Sequence, residues 1–289
     1  MRALACMAIA LPLPAIALEP TKTLECAKVG DRSLKLDLYL PEGAKEAPPL
    51  LVYVHGGAWR RGSRANMPLG ELVEKHSLAI ASVDYRLSTE AVFPAQVHDI
   101  KAAIRFLRSQ ATELGYSGER IAIAGSSAGG HLAALVGVSN GNALLEGEVG
   151  EHLDQSSDIA AVVSFYGASN LTSILAQSTP HGLKVRVPAL ELLLGDRPEN
   201  VPDLARLASP VTHVDAKDPA LLLIHGDQDP QMPINQSHEL MGKYEAVGAE
   251  SKFIVAYGAA HGGSDFYTDE MDARVVQFLR HHIRLTSPD

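Results

Sequence analysis

Ser127 stands at the centre of Gly125-Ser126-Ser127-Ala128-Gly129, with one glycine two residues before it and another two after. A serine exposed on a sharp strand-to-helix turn needs that spacing, because larger neighbours would clash in the strained backbone that presents its Oγ. A serine hydroxyl is a poor nucleophile by itself, so the turn has chemical meaning only with a base and an orienting acid. Where such a turn sits on a parallel sheet, the chain order is serine, then Asp or Glu, then histidine. Downstream, "LLLIHGDQDPQMP" offers Asp227 and Asp229, and "YGAAHGGSD" then offers His261. Upstream, "VYVHGGAWRRGS" places His55-Gly56-Gly57-Ala58 directly after an apolar run. The backbone N–H groups of Gly56 and Gly57, with that of Ala128, would bind the oxyanion of a tetrahedral intermediate, since the glycines have no side chain to stand in the way. The implied chemistry is acyl transfer to Ser127 followed by hydrolysis. Ser126 is the variable position of the pentapeptide, suited to hydrogen-bonding support or a substrate contact, and Trp59 is a second candidate substrate contact.

The remaining histidines lack that context. His281 and His282 belong to a terminal helical pattern, His98 and His238 lie within helical patterns, and His225 ends a strand. No pair or trio has metal-ligand spacing with supporting acids, and two cysteines exclude a thiolate site, so no metal is expected. No motif for an organic cofactor is present either.

The elements that must position these groups alternate between strand and helix, which predicts a mostly parallel sheet flanked by helices, the α/β class. "SLKLDLYL" (33–40) alternates as a half-buried strand does, whereas "LLVYV" (50–54) is a continuous apolar run suited to a central strand. Residues 78–85, 120–125, 159–167, 220–226 and 252–258 repeat that apolar character. The acids, the histidine and the glycine loop therefore fall at carboxyl ends of parallel strands, where open sheets place their sites. "PAQVHDIKAAIRFLRSQA" puts Val97, Ile100, Ile104 and Leu107 on one helical stripe. Residues 140–158 and 171–218, the latter with a Leu-rich "PALELLLG" helix, interrupt the alternation and suit a small cap over a site.

The 289-residue chain is 46% hydrophobic with a net charge of −9, which argues against nucleic acid or an anionic membrane surface as the main partner. "MRALACMAIALPLPAIALEP" reads as a signal peptide of residues 1–17 preceding one domain of residues 18–289. Arg2 precedes the apolar stretch, and Ala15 and Ala17 supply the small residues of a cleavage site, so a periplasmic or secreted location is expected. Removal of the leader leaves Cys26 as the single cysteine, which excludes an internal disulfide. Nothing after residue 20 is apolar for long enough to span a bilayer.

"HGGAWRRGS", "DYRLS", "FPAQVHDIKAAIRFLRSQA", "GERIAIAGSSAGGHLAAL", "SPVTHVDAKDPALLLIHGDQDPQMP" and "AAHGG", in this order, resemble the α/β-hydrolase superfamily. The resemblance runs from about residue 33 to 283 and is to the esterase branch related to hormone-sensitive lipase and to bacterial acetyl, xylan and feruloyl esterases. It implies Ser127 as nucleophile, His261 as base and Asp229 as acid, because Asp229 fits the family's H-G-x-x-D pattern with a following proline and Asp227 does not. Asp227 would brace its loop, and Asp84 and Arg86 would be structural. Two departures stand out: Ala58 replaces a third glycine of the oxyanion loop, and Asn170 stands where the family commonly has an aspartate. The function implied is a serine carboxylesterase without cofactor, acting on a small-molecule or carbohydrate ester with a short acyl group, acetylated or feruloylated. Amide hydrolysis of the arylformamidase type and a non-catalytic binding protein on the same fold are the alternatives.

Overall fold

The computed structural model describes residues 18–284, and the leader expected at residues 1–17 lies outside them. Eight strands form one sheet: β1 (Lys22–Val29), β2 (Arg32–Tyr39), β3 (Leu50–Val54), β4 (Ala79–Val83), β5 (Ile121–Ser126), β6 (Ala161–Phe165), β7 (Ala220–Gly226) and β8 (Ser251–Ala256), in the order β1-β2-β4-β3-β5-β6-β7-β8. The β1–β2 and β2–β4 pairs are antiparallel and the others are parallel. The helices are α1 (Gly70–His76), α2 (Ala95–Leu114), α3 (Ala128–Gly137), α4 (Ala143–Glu146), α5 (Ile174–Gln177), α6 (Pro180–Leu194), α7 (Pro202–Leu207), α8 (Asn235–Val247) and α9 (Asp269–Ile283). This is the mostly parallel sheet flanked by helices that the alternation predicts.

The central strands β3 to β7 are buried along their whole length because both faces are covered, which explains why they read as unbroken apolar runs. Val52, Val54, Ile121 and Ile123 point to one side and meet Val97, Ile100, Ile104 and Leu107 of α2 and Leu132 of α3. Leu51, Tyr53, Ala122 and Val163 alternate with them to the other side, where Leu72 of α1 and Val275 and Leu279 of α9 pack. Strand β1 carries no apolar run, because as an edge strand it buries few of its residues. Only pairing with β2 identifies it as a strand. Cys26 lies on it as a buried free thiol donating to the Leu34 carbonyl. Among the described residues no helix is long and apolar enough to cross a membrane.

The two segments expected to cap a site have different fates. Residues 140–158 join the carboxyl end of α3 to the amino end of β6, so they lie at the end of the sheet opposite the carboxyl ends of the parallel strands. There Glu146 receives the buried Lys101 and Arg105 of α2 at 2.8 and 2.5 Å, which ties the segment to the helix and away from any cap. Residues 171–218 leave the carboxyl end of β6 and do reach the upper loops, since the Thr179 hydroxyl donates to the Pro230 carbonyl at 2.6 Å. The helix expected at "PALELLLG" begins earlier, at Pro180, and runs through Pro188. Thr179 caps it by accepting the Gly182 N–H, a stabilisation that a proline-by-proline reading misses.

Candidate active site

Ser127 sits between β5 and α3 with φ +54, a conformation that non-glycine residues seldom adopt. Its neighbours are small because strand, turn and helix nearly touch. A Cβ on Gly125 would lie 2.3 Å from the Gly129 carbonyl oxygen, and one on Gly129 would lie 2.0 Å from that of Val54. No side chain fits at either contact. The Ser127 Oγ lies 2.8 Å from His261 Nε2, and His261 Nδ1 lies 2.6 Å from Asp229 Oδ2. The carboxylate can only accept, so Nδ1 carries the proton and donates to it, leaving Nε2 to accept from the Ser127 hydroxyl.

The Asp229 side chain is fully buried and held by four donors. Its Oδ1 accepts from the Gln231 and Met232 N–H groups, both at 2.8 Å. Its Oδ2 faces His261 and, at 3.3 Å, the Nε2 of His225. Burial alone would raise the carboxyl pKa. The hydrogen bonds from His225 and His261 and from the Met232 N–H outweigh it and hold the group well below the usual carboxylate range. His225 thus does more than end a strand. Its Nε2 also lies 3.0 Å from the Met232 carbonyl, so Nε2 must be the protonated nitrogen, while Nδ1 accepts from the Ser237 hydroxyl at 2.8 Å. The i, i+4 spacing of His225 and Asp229 was the available signal. Asp227 is separate from this cluster and braces the loop by accepting the Gly258 N–H at 2.7 Å.

The glycine loop follows β3 and lies against the serine turn, since a Cβ on Gly56 would come within 3.4 Å of the Ser127 Cβ. Among the described residues the N–H groups of Gly56, Gly57 and Ala128 have no hydrogen-bond acceptor, which leaves them available to a ligand oxygen. The buried His55 secures the loop. Its ring stacks on Tyr85 with centroids 4.4 Å apart, its Nδ1 donates to the Gly56 carbonyl at 2.8 Å, and burial lowers its pKa and so favours the neutral ring. Gly57 has φ +118, and an added Cβ there would fall 2.0 Å from the Arg61 carbonyl oxygen. Gly57→Ala is therefore expected to move the loop and lower kcat/KM for an ester by roughly 10²–10³-fold, the usual loss for a displaced oxyanion donor. Gly43→Ala is the control, because it also has positive φ but nothing within 4 Å, so steady-state kinetics should separate the two. Ala58 keeps its N–H but has φ +54, so the change from glycine here places an alanine in a left-handed conformation.

Trp59 is not available to a substrate. It is fully buried in the core, and its indole N–H donates to His131 Nδ1 at 3.1 Å. The left-handed conformations of Ala58 and Trp59 bring the ring inward against α3. His131 in turn donates from Nε2 to the Ala208 carbonyl at 2.7 Å, and burial pushes its pKa down to about 4, so it stays neutral. Ser126 shares a 3.0 Å hydrogen bond with the Tyr53 hydroxyl and lines the cavity beside the glycine loop, a place compatible with either support or substrate contact. The sequence reading missed Tyr166, whose ring packs edge-on against His261 at 4.9 Å while its hydroxyl lies 3.0 Å from that of Tyr267. Asn170 is remote from this arrangement in its bonding, donating to Glu239 at 2.8 Å. Asp84 pairs with Arg64, and Arg86 grips the buried Asp99, so both residues of "DYRLS" are structural. At the opposite end of the sheet, donor atoms of Glu250, His281 and His282 lie within 4.8 Å of one another. Sequence spacing did not reveal that trio because Glu250 joins the histidines only through the fold.

Comparison with known proteins finds relatives of the chain. The BD-FAE family model matches residues 36–244. Esterase LipC of Mycobacterium tuberculosis is 32% identical over 237 residues, 80% of this chain and 57% of LipC. A probable isoprenylcysteine alpha-carbonyl methylesterase of Arabidopsis thaliana is 29% identical over 78% of this chain and 48% of its own length. The chain thus spans about half the length of the curated relatives it matches. A truncated carbohydrate esterase from gut microbiota superposes with a TM-score of 0.80 at 30% identity, over 92% of this chain and 97% of that one. Propionate-bound Est2, an esterase from the planctomycete Thermogutta terrifontis, gives 0.75 at 26% identity, over 93% and 96%.

Proposed function

The chain belongs to the BD-FAE family and has the α/β-hydrolase fold, and from that premise we propose that it is a serine carboxylesterase acting on short-chain, acetyl-type esters of carbohydrate. The observation that carries the reading is the continuous relay from Ser127 Oγ through His261 to the buried Asp229, with spans of 2.8 and 2.6 Å. His261 takes the Ser127 proton as Oγ attacks the ester carbonyl. The N–H groups of Gly56, Gly57 and Ala128 stabilise the oxyanion, and the alcohol leaves with the proton from His261. Water then attacks the acyl-enzyme by the same route, with His261 as base.

Support for the substrate class comes from the relatives. Est2 has been solved with propionate and with butyrate bound, and phosphonylated by sarin, while one structural neighbour is described as a carbohydrate esterase and another, from Bacteroides eggerthii, as a bifunctional GH43-CE. The leader reading of residues 1–17 belongs to the same proposal, since polymeric carbohydrate is met outside the cytoplasm. A panel of p-nitrophenyl esters of increasing acyl length, run beside acetylated xylan, tests it. Turnover is expected to be highest for acetyl and to fall with chain length, with acetate released from the xylan. Faster cleavage of an N-formyl arylamine than of the acetyl ester would overturn the ester reading in favour of an amide hydrolase.

A further inference from the structure

The cavity beside the glycine loop has a volume of about 650 Å³, and Tyr53, Gly56, Gly57, Arg61, Ser126 and Tyr267 are among the residues that line it. An acetyl group would leave most of that volume empty, so under the esterase reading, on which this inference rests, the space accommodates what the acetyl is attached to. Arg61 is the one charged residue among the described residues that line the cavity. Its position is tied to the oxyanion loop, since its N–H donates to the Gly57 carbonyl at 3.2 Å.

The arginines of "RRGSR" divide their work. Arg64 takes both acids within reach, pairing with Asp37 at 3.0 Å and with Asp84 at 2.7 Å. Arg61 is exposed and has no acidic partner among the described residues, so the fold does not use its charge. In a chain of net charge −9, an uncompensated guanidinium on a residue that lines a substrate-sized cavity attracts an anion that the rest of the surface repels. A guanidinium also presents paired N–H donors that match the two oxygens of a carboxylate.

We propose that Arg61 selects esters of acidic carbohydrate, pairing with a carboxylate on the sugar while the acetyl group is presented to Ser127. The substrate class is an O-acetylated uronate or a glycan bearing one. The test is acetate release from an O-acetylated methyl glucuronoside and from the matching O-acetylated methyl glucoside, with KM and kcat read separately. The acidic substrate is expected to show a KM roughly tenfold lower at low ionic strength, the contribution of one charge-assisted contact. That preference should shrink at about 0.5 M salt, which screens the pair. Arg61→Gln should bring the KM ratio to unity, and Arg61→Lys should keep part of it because the charge remains but the fork is lost. Equal KM values in the wild type, or a preference that survives Arg61→Gln, would overturn the proposal. Release of acetate from neither substrate would instead overturn the esterase reading beneath it.

Discussion

Ser127→Ala is expected to lower turnover of an acetyl ester by roughly 10⁶-fold while the protein stays folded. The effect is large because, in the proposed mechanism, the hydroxyl oxygen forms the acyl bond and no neighbour takes its place. The 3.0 Å hydrogen bond that Ser126 shares with Tyr53 holds its hydroxyl in a contact separate from His261. Folding should survive because alanine keeps the Cβ and has no greater aversion than serine to the φ of +54 found there. Mass spectrometry after treatment with a fluorophosphonate checks the assignment directly. The wild type and Ser126→Ala should gain one phosphonyl adduct, and Ser127→Ala none. An adduct that persists on Ser127→Ala would mean that another residue attacks.

The second large effect is Asp229→Asn, for which kcat should fall by roughly 10⁴-fold with little change in KM. The hydrogen-bond pattern explains why an isosteric change is so damaging. Oδ1 accepts two backbone N–H groups, so the carbonyl oxygen of the asparagine must occupy that place. Its NH₂ then faces His261 Nδ1, which can no longer donate and must become the acceptor. The proton moves to Nε2, the nitrogen that should receive the Ser127 proton, and the base is lost through the wrong tautomer. The same NH₂ also confronts the Nε2–H of His225, so the substitution places two donors together.

Stability should change with pH in a matching way. The Asp229 pKa is depressed in the fold, so its ionised form stabilises the protein at pH values above the ordinary carboxylate value of 3.8. That contribution is lost as pH falls from there toward the folded value. Denaturant unfolding should therefore show Asp229→Asn less stable than wild type at neutral pH, with the gap narrowing as the solution is taken below pH 3.8. A gap that stays constant with pH would mean that the carboxylate's charge is not what His225, His261 and the Met232 N–H hold in place.

Much of the fold and site was legible in the sequence because it depends on local requirements. Strands β3 to β7 are buried on both faces and read as apolar runs, and the glycines around Ser127 stand where backbones come within contact. The chain order of Ser127, Asp229 and His261 follows from which strand ends carry them. Other features had no local signature. Trp59 reads as an exposed aromatic beside a glycine loop until the left-handed turn at Ala58 directs it into the core onto His131. The edge strand β1 and the course of α6 through Pro188 depend on partners distant in the chain.

The sequence by itself therefore determined the class of fold, the order of the reactive groups and the small residues that make room for them. These are properties of period, of spacing and of the absence of side chains. Only the tertiary structure decided which polar groups pair. It gave His225 to the acid, Tyr166 to the base, Tyr53 to Ser126 and Arg64 to the two aspartates, leaving Arg61 uncompensated at the cavity. Apart from His225 and Asp229, these pairings join residues tens of positions apart, and such a contact has meaning only once the backbone has brought its partners together.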